Sequence, residues 1–176
     1  TVQPTYAVDP NIALKWTGYV AGGGEALLAA DVRPDIPGME IIHAGGGAQP
    51  GGITGSVTCL NGITGAQIWK VSISGIGDTC QPQMADLNND GRLEIVVPIQ
   101  YPAGIYILNS YDGSLFYSNR NLDGGRIDSN SVIGDVNGDG YPDLFVGVMA
   151  YEEQPNTGKL IHYAYSPSQG TMIELQ

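Results

Sequence analysis

The chain has few of the residues on which most binding and catalytic chemistry depends. Its 176 residues include only 7 Lys or Arg, 2 His and 2 Cys. Polyanions bind to clustered Lys and Arg, so we expect no nucleic-acid partner. Zinc and copper sites need His or Cys ligands, which makes these metals poor candidates. No run of 18 apolar residues occurs, and we expect no membrane-spanning helix.

Helical patterns are also missing. No segment shows sustained apolar spacing of three and four residues, whereas Gly (26) and Pro (11) are frequent and only 14% of residues are charged. This composition favours short strands joined by tight turns. With 42% hydrophobic residues, the sequence predicts one all-β domain over residues 1–176. Cys59 and Cys80 form either a disulfide, which would fit an oxidising compartment, or two buried thiols.

Catalytic signatures are missing as well. The sequence contains no Gly-x-Ser-x-Gly, no His-Glu-x-x-His and no phosphate-binding loop. His43 and His162 fall in predicted strands, where a buried structural role is expected. The acids outside the repeated loops are interpreted as solvated, and three loop tyrosines are the candidates for stacking on a sugar: Asp112, Asp123, Asp128, Glu152 and Glu153, and Tyr101, Tyr111 and Tyr151. We therefore expect no enzyme activity.

Acidic residues, in contrast, are abundant, and many of them lie in two similar loops. The net charge is −11. The loops are Asp86-Leu-Asn-Asn-Asp-Gly-Arg-Leu-Glu94 and Asp135-Val-Asn-Gly-Asp-Gly-Tyr-Pro-Asp143, which begin 49 residues apart. Each has oxygen-bearing side chains at positions 1, 3, 5 and 9 and a glycine at position 6. Such a loop suits a hard cation that accepts six to eight oxygens, and Ca²⁺ is the expected ion.

The loops differ from an EF-hand. An EF-hand carries a bidentate Glu at position 12 and a helix on each side. Here position 12 is Val97 or Val146, and each loop is followed by a short β-branched, apolar run. The ninth residue of each loop is therefore expected to begin a strand.

The loops belong to a longer repeat of about 50 residues, a period typical of solenoids and propellers. A degenerate copy begins at Asp31, and the turn Asn61–Gly65 aligns with Asn109–Gly113. We predict three four-stranded antiparallel units, the blades of a β-propeller, over about 26–72, 81–119 and 129–175. Leu14-Lys15-Trp16 matches Ile68-Trp69-Lys70, so residues 1–20 are expected to supply an orphan outer strand of a preceding or partner blade.

The Asp-x-Asn-x-Asp-Gly-x-x-Asp/Glu loop entering a strand, followed by Gly-Ile-Tyr-Ile-Leu-Asn, resembles the FG-GAP/VCBS-type repeats of integrin α-subunit propellers. The resemblance implies two Ca²⁺ sites, with carbonyl oxygens from Arg92 and Tyr141. The implied side-chain ligands are Asp86, Asn88, Asp90 and Glu94, and Asp135, Asn137, Asp139 and Asp143. A third site at Asp31, Asp35 and Glu40 is degenerate, because Arg33 replaces an oxygen ligand and is expected to pair with Asp31 or Asp35.

The leading functional hypothesis is a non-catalytic, calcium-binding propeller module of an extracellular or cell-surface protein that works in adhesion or assembly. Its expected partners are other blades or domains, further copies of the chain, a carbohydrate or a surface protein. Three blades are fewer than a closed propeller has, and open faces favour association. Two alternatives remain: a segment of a propeller-type lyase for rhamnogalacturonan-like polysaccharides, and a structural subunit that polymerises through its open blade faces.

Overall fold

The computed structural model describes residues 15–18, 26–46, 54–77, 81–120, 122, 125–149 and 158–175. Within these ranges the secondary structure consists of strands and turns, and no described helix could span a membrane. The strands are β1 Ala26–Ala30, β2 Glu40–Gly45, β3 Thr54–Asn61, β4 Gln67–Ser74, β5 Gln83–Ala85, β6 Glu94–Ile99, β7 Gly104–Asn109, β8 Leu115–Asn119, β9 Val132–Gly134, β10 Asp143–Met149, β11 Gly158–Ser166 and β12 Thr171–Leu175.

These strands form three four-stranded antiparallel sheets, each made of four consecutive strands in simple order. Sheet 1 contains β1–β4, sheet 2 contains β5–β8 and sheet 3 contains β9–β12. The prediction of an all-β chain with three four-stranded, propeller-like units is therefore confirmed. The three sheets do not close into a ring.

Two apolar cores join the sheets, and sheet 2 contributes to both. Alternate residues of a strand point to opposite faces. Accordingly, Ile95 packs in a core with Ile42 of sheet 1, whereas its neighbour Val96 packs with Leu144 and Val146 of sheet 3. Both faces of β6 are covered, and this explains why the strand reads as a continuous apolar run.

A five-residue turn recurs between the third and fourth strands of every sheet. The turns are 61–65, 109–113 and 166–170, and in each the last residue is a glycine with positive φ (72°, 75° and 65°). Its N–H donates to the carbonyl of the first turn residue at 2.8 Å in all three sheets. The sequence alignment of the first two turns is therefore correct.

Two tryptophans pack on these turns in the same way. The Trp69 ring lies against Gly113, where an added Cβ would be 2.8 Å from the ring, and its Nε1 donates to the Ser110 carbonyl at 3.1 Å. The Trp16 ring lies against Gly65, and its Nε1 donates to the Gly62 carbonyl at 3.0 Å. Trp16 thus takes, on sheet 1, the place that Trp69 of a preceding blade takes on sheet 2.

Most of the predicted N-terminal outer strand lies outside the described residues. Residues 1–14 lie outside the described residues, and residues 15–18 run without strand pairing, although Trp16 packs on sheet 1 as Trp69 packs on sheet 2. Cys80 also lies outside the described residues. Cys59 is a free thiol in the core between sheets 1 and 2, where burial raises its pKa to about 12. Of the two alternatives, Cys59 therefore follows the buried-thiol interpretation.

Candidate metal-binding loops

The repeated loops connect the first and second strands of each sheet. We call residues 31–40 loop A, residues 86–94 loop B and residues 135–143 loop C. Loop A joins β1 to β2, loop B joins β5 to β6, and loop C joins β9 to β10. The last acid of each loop, Glu40, Glu94 or Asp143, is the first residue of the following strand. This is the placement expected from the sequence.

Loops B and C share one hydrogen-bond network around position 1. In loop B the N–H of Gly91 donates to Asp86 Oδ2 at 2.8 Å, and in loop C the N–H of Gly140 donates to Asp135 Oδ2 at 2.9 Å. The second carboxylate oxygen also accepts a main-chain N–H in each loop, from Asp90 at 3.0 Å or from Gly138 at 2.7 Å. The first-position acid therefore closes the turn on itself.

The side chains at positions 3 and 5 of both loops also accept hydrogen bonds from main-chain N–H groups. The amide oxygen of Asn88 accepts the N–H of Asp90 at 3.0 Å, and that of Asn137 accepts the N–H of Asp139 at 2.8 Å. The carboxylates at position 5 accept the N–H of position 7, from Arg92 at 2.8 Å and from Tyr141 at 2.9 Å. Main-chain donors thus orient the side-chain oxygens of both loops, which are 49 residues apart in the sequence.

The backbone of loops B and C is left-handed at two positions in each. Gly91 and Gly140 at position 6 have φ of 83° and 89°. Position 4 is left-handed as well, with Gly138 at 77° and Asn89 at 58°. Asn and Gly are the residues that tolerate this conformation best. The sequence analysis identified the glycine at position 6 but missed the requirement at position 4.

Glu94 has the most unusual environment in loop B. The residue is 1% exposed, and Oε2 of its carboxylate accepts the N–H of Leu87 at 2.8 Å. Oε1 is buried and has no hydrogen-bond partner. Burial raises the pKa of Glu94 to about 7, and the nearby carboxylates of Asp90 and Asp86 add to the shift. An unpartnered, buried carboxylate oxygen beside two further carboxylates is the arrangement that a cation would relieve.

The donor set fits Ca²⁺ better than other metals. It consists of oxygen atoms only, and a carboxylate oxygen that accepts one N–H keeps a second lone pair. In the described ranges no three His, Cys, Asp or Glu side chains are grouped so that they could hold a metal by themselves. The other oxygens of the predicted set in each loop are the Asn amide oxygen at position 3 and the carbonyl oxygen at position 7.

Loop C differs from loop B at its ninth residue. Asp143 Oδ2 accepts the N–H of Val136 at 3.0 Å, as Glu94 does with Leu87, but Oδ1 lies 2.9 Å from Nε2 of His162. The His162 ring stacks on Phe145, with 4.4 Å between ring centroids. His162 is thus partly exposed and paired with a candidate ligand instead of being buried as predicted. This environment of His162 depends on the register of β10 on β11, which pairs Phe145 with His162 and cannot be read from the sequence.

Loop A contains a positively charged side chain, Arg33. The Arg33 guanidinium bonds both oxygens of Asp35, at 2.8 and 2.7 Å, and lies 4.4 Å from the centre of the Tyr111 ring. Glu40 Oε2 accepts the N–H groups of Val32 and Arg33 at 3.1 and 2.9 Å. The internal ion pair expected with Asp31 or Asp35 thus forms with Asp35. The Arg33 charge lies within the loop, beside the acid at position 5.

The remaining candidate residues are dispersed. Tyr111 contacts Arg33 and, at 5.1 Å, Arg92, so cation–π contacts occupy its ring. Asp128 pairs with Arg126 at 2.6 Å, and Asp112 accepts the N–H of Ser114. Tyr101 is 43% exposed. Four other candidates lie outside the described residues: Asp123, Tyr151, Glu152 and Glu153.

Comparison with protein-family models gives one match. The model of the FG-GAP repeat matches residues 129–162, which include loop C, β9, β10 and the first half of β11. No curated protein matches the chain. The matched segment is the region in which the sequence places the third unit. Residues 129–162 are therefore similar to an FG-GAP repeat, and the match covers this one segment of the chain.

Proposed function

We propose that loops B and C each bind one Ca²⁺ and that the chain is a calcium-stabilised, non-catalytic propeller module. The observation that carries the proposal is the buried, unpartnered Oε1 of Glu94 beside Asp86 and Asp90. Glu40 of loop A has an unpartnered Oε1 as well, but loop A already contains the positive charge of Arg33, and loop B has no such internal ion pair with its fifth-position acid. A side chain at that depth normally has a partner for each polar atom. The matching hydrogen-bond network of loop C extends the proposal to a second site.

When bound, the cation would supply positive charge to three carboxylates that otherwise repel one another. The residues of the chain do the rest. Asp86 and Asn88 hold the turn, and Glu94 anchors it to the first residue of β6. A ligand that binds only the folded state stabilises it by about 2.7 kcal/mol at a hundredfold excess over Kd. Each site would therefore hold its blade's first two strands together.

Calorimetric titration of the intact chain with Ca²⁺ tests this proposal. We expect two bound ions, and Mg²⁺ should bind more weakly because it demands a stricter octahedral geometry. Glu94→Gln is the matched variant, because it keeps the size of the side chain and removes its charge. It should lose one ion. Absence of Ca²⁺ binding at millimolar concentration would refute the proposal.

The setting we propose is a secreted or surface protein, in adhesion or assembly. Millimolar extracellular Ca²⁺ suits exposed loops with few ligands, and residues 89–92 of loop B and 135–140 of loop C are exposed. A screen for eliminative cleavage of uronate-containing polysaccharides distinguishes this role from the lyase alternative. Detection of any cleavage product would refute the non-catalytic proposal and favour the lyase alternative.

A specific surface supports assembly as a second candidate function. Sheet 3 and its loop C expose Val132, Val136, Leu160 and Leu175, with fractions of 63%, 64%, 74% and 39%. The equivalent positions of Val136 and Leu160 are Leu87 and Ile105 in sheet 2, which are buried against sheet 3. The exposed face of sheet 3 therefore has the apolar pattern that the preceding sheets bury against their successors.

The occupant we propose for this face is a blade of a second copy of the chain, since the face continues the stacking of sheets 1, 2 and 3. A contact between unlike faces that does not close produces filaments. Light scattering and negative-stain imaging of the intact chain should show particles larger than a monomer. Leu160→Asp should return the chain to a monomer, and a wild-type monomer at high concentration would refute this second candidate.

A further inference from the structure

We propose that Asn89 couples loops B and C, so that a cation bound in loop B raises the affinity of loop C for its own cation. The inference rests on the proposed binding of Ca²⁺ by both loops. It starts from one contact: the side-chain amide of Asn89, at position 4 of loop B, donates to the carbonyl oxygen of Gly140, at position 6 of loop C.

On the loop C side, this contact acts on groups that orient the candidate ligands. The N–H of Gly140 donates to Asp135 Oδ2 at 2.9 Å. The carbonyl that accepts from Asn89 belongs to the peptide group whose N–H, on Tyr141, donates to Asp139 Oδ1 at 2.9 Å. The Asn89 amide therefore fixes and polarises the Gly140–Tyr141 peptide group, which donates a hydrogen bond to the carboxylate at position 5.

On the loop B side, the candidate ligands fix the backbone of Asn89. The next N–H, of Asp90, donates to Asp86 Oδ1 and to Asn88 Oδ1, both at 3.0 Å. Asn89 itself has φ of 58° and is the only described residue other than glycine with positive φ. A cation that ordered Asp86 and Asn88 would also order this left-handed turn, and with it the amide that reaches loop C.

The link is specific to this pair of loops. Position 4 of loop A is Pro34, which has no side-chain donor, and position 4 of loop C is Gly138, which has no side chain. The expected coupling is positive, because filling loop B fixes in advance a peptide that loop C must order. Repulsion between the two cations opposes it and is screened at physiological ionic strength, where the Debye length is about 8 Å.

The test is a double-mutant cycle on the intact chain, titrated with Ca²⁺ alone. Amide resonances of Gly91 and Gly140 report the two loops separately, and calorimetry gives the affinities. Disabling loop B with Asp86→Ala should weaken Ca²⁺ binding at loop C about fivefold. In the Asn89→Gly background, Asp86→Ala should change loop C affinity less than about twofold, within the additivity of independent sites. Glycine suits this φ without strain.

Gly138→Asn is the matched control, because it places asparagine at the same left-handed position of loop C, where an added Cβ meets nothing within 4 Å. It should leave the coupling unchanged. If Asp86→Ala fails to fold, the order in which Gly91 and Gly140 titrate in the wild type and in Asn89→Gly gives the same comparison. Equal coupling with and without Asn89, or none in the wild type, overturns the coupling and leaves both sites intact. No Ca²⁺ binding at either loop overturns both proposals.

Discussion

The joint between sheets 1 and 2 and the joint between sheets 2 and 3 are held by different means. The first joint has an indole seated on a glycine turn and a guanidinium over a tyrosine ring, from Trp69 and Arg33. The second has tyrosine contacts, such as Tyr117 on Tyr163, and a hydrogen bond between the two acidic loops, from the Asn89 side chain to the Gly140 carbonyl. The first joint thus contains the positive charge of Arg33, whereas the second lies beside the two proposed Ca²⁺ sites.

Removal of calcium should have the largest effect and should be confined to the second joint. Two sites filled at a hundredfold excess over Kd contribute about 5 kcal/mol, which corresponds to a decrease in Tm of about 10–20 °C for a chain of this size. Thermal melts with Ca²⁺ and with EDTA measure it. Hydrogen exchange should accelerate in loops B and C and not in loop A. Equal acceleration in all three loops would abolish the distinction between the joints.

Trp69→Ala should be the next largest change and should act on the first joint. Loss of a large buried aromatic side chain costs about 3–5 kcal/mol, and the Ser110 carbonyl also loses a donor. The free energy of unfolding should fall equally in Ca²⁺ and in EDTA, because the hydrogen bond and the glycine contact of this indole are with the turn 109–113, which is outside loops B and C. Trp69→Phe is the milder control. A loss seen only in Ca²⁺ would mean that the first joint depends on the ions after all.

Asp135→Ala and Asp31→Ala compare the first positions of loops C and A. Asp135→Ala should remove one bound ion and about 2.7 kcal/mol of calcium-dependent stability at a hundredfold excess over Kd. Asp31 is exposed, and its substitution should leave the difference in Tm between Ca²⁺ and EDTA unchanged. Calorimetric ion counts for both variants decide the matter. A lost ion in Asp31→Ala would show that loop A also binds calcium.

Arg33→Gln should have the smallest effect. It removes the ion pair with Asp35 and the contact with Tyr111, both at the surface, where salt weakens such interactions. We expect a slight decrease in Tm that is the same with Ca²⁺ and with EDTA and that disappears at about 1 M salt. Melts at two salt concentrations measure it. A decrease that persisted at high salt would show that stacking and not charge holds loop A to sheet 2.

Much of the fold could be predicted because the repeat encodes it locally. The spacing of Asp, Asn and Gly places each acidic loop before its strand, and the glycine turns align in sheets 1 and 2. The similarity of Leu14-Lys15-Trp16 to Ile68-Trp69-Lys70 predicted an outer strand, but it did not predict that both indoles pack on glycine turns. The contact of Asn89 with Gly140 could not be read in the same way, because it depends on how successive sheets are rotated against each other. The pairing of His162 with Asp143 depends likewise on the register of β10 and β11.

The packing of Trp69 on the turn 109–113 also has a consequence for biosynthesis. The indole leaves the ribosome about 40 residues before the turn that receives it. Until that turn is made, the Trp69 ring lacks the partner on which it packs. A nascent or truncated chain that ends between residues 75 and 108 would therefore expose a large aromatic group, and chaperones would be expected to hold such intermediates.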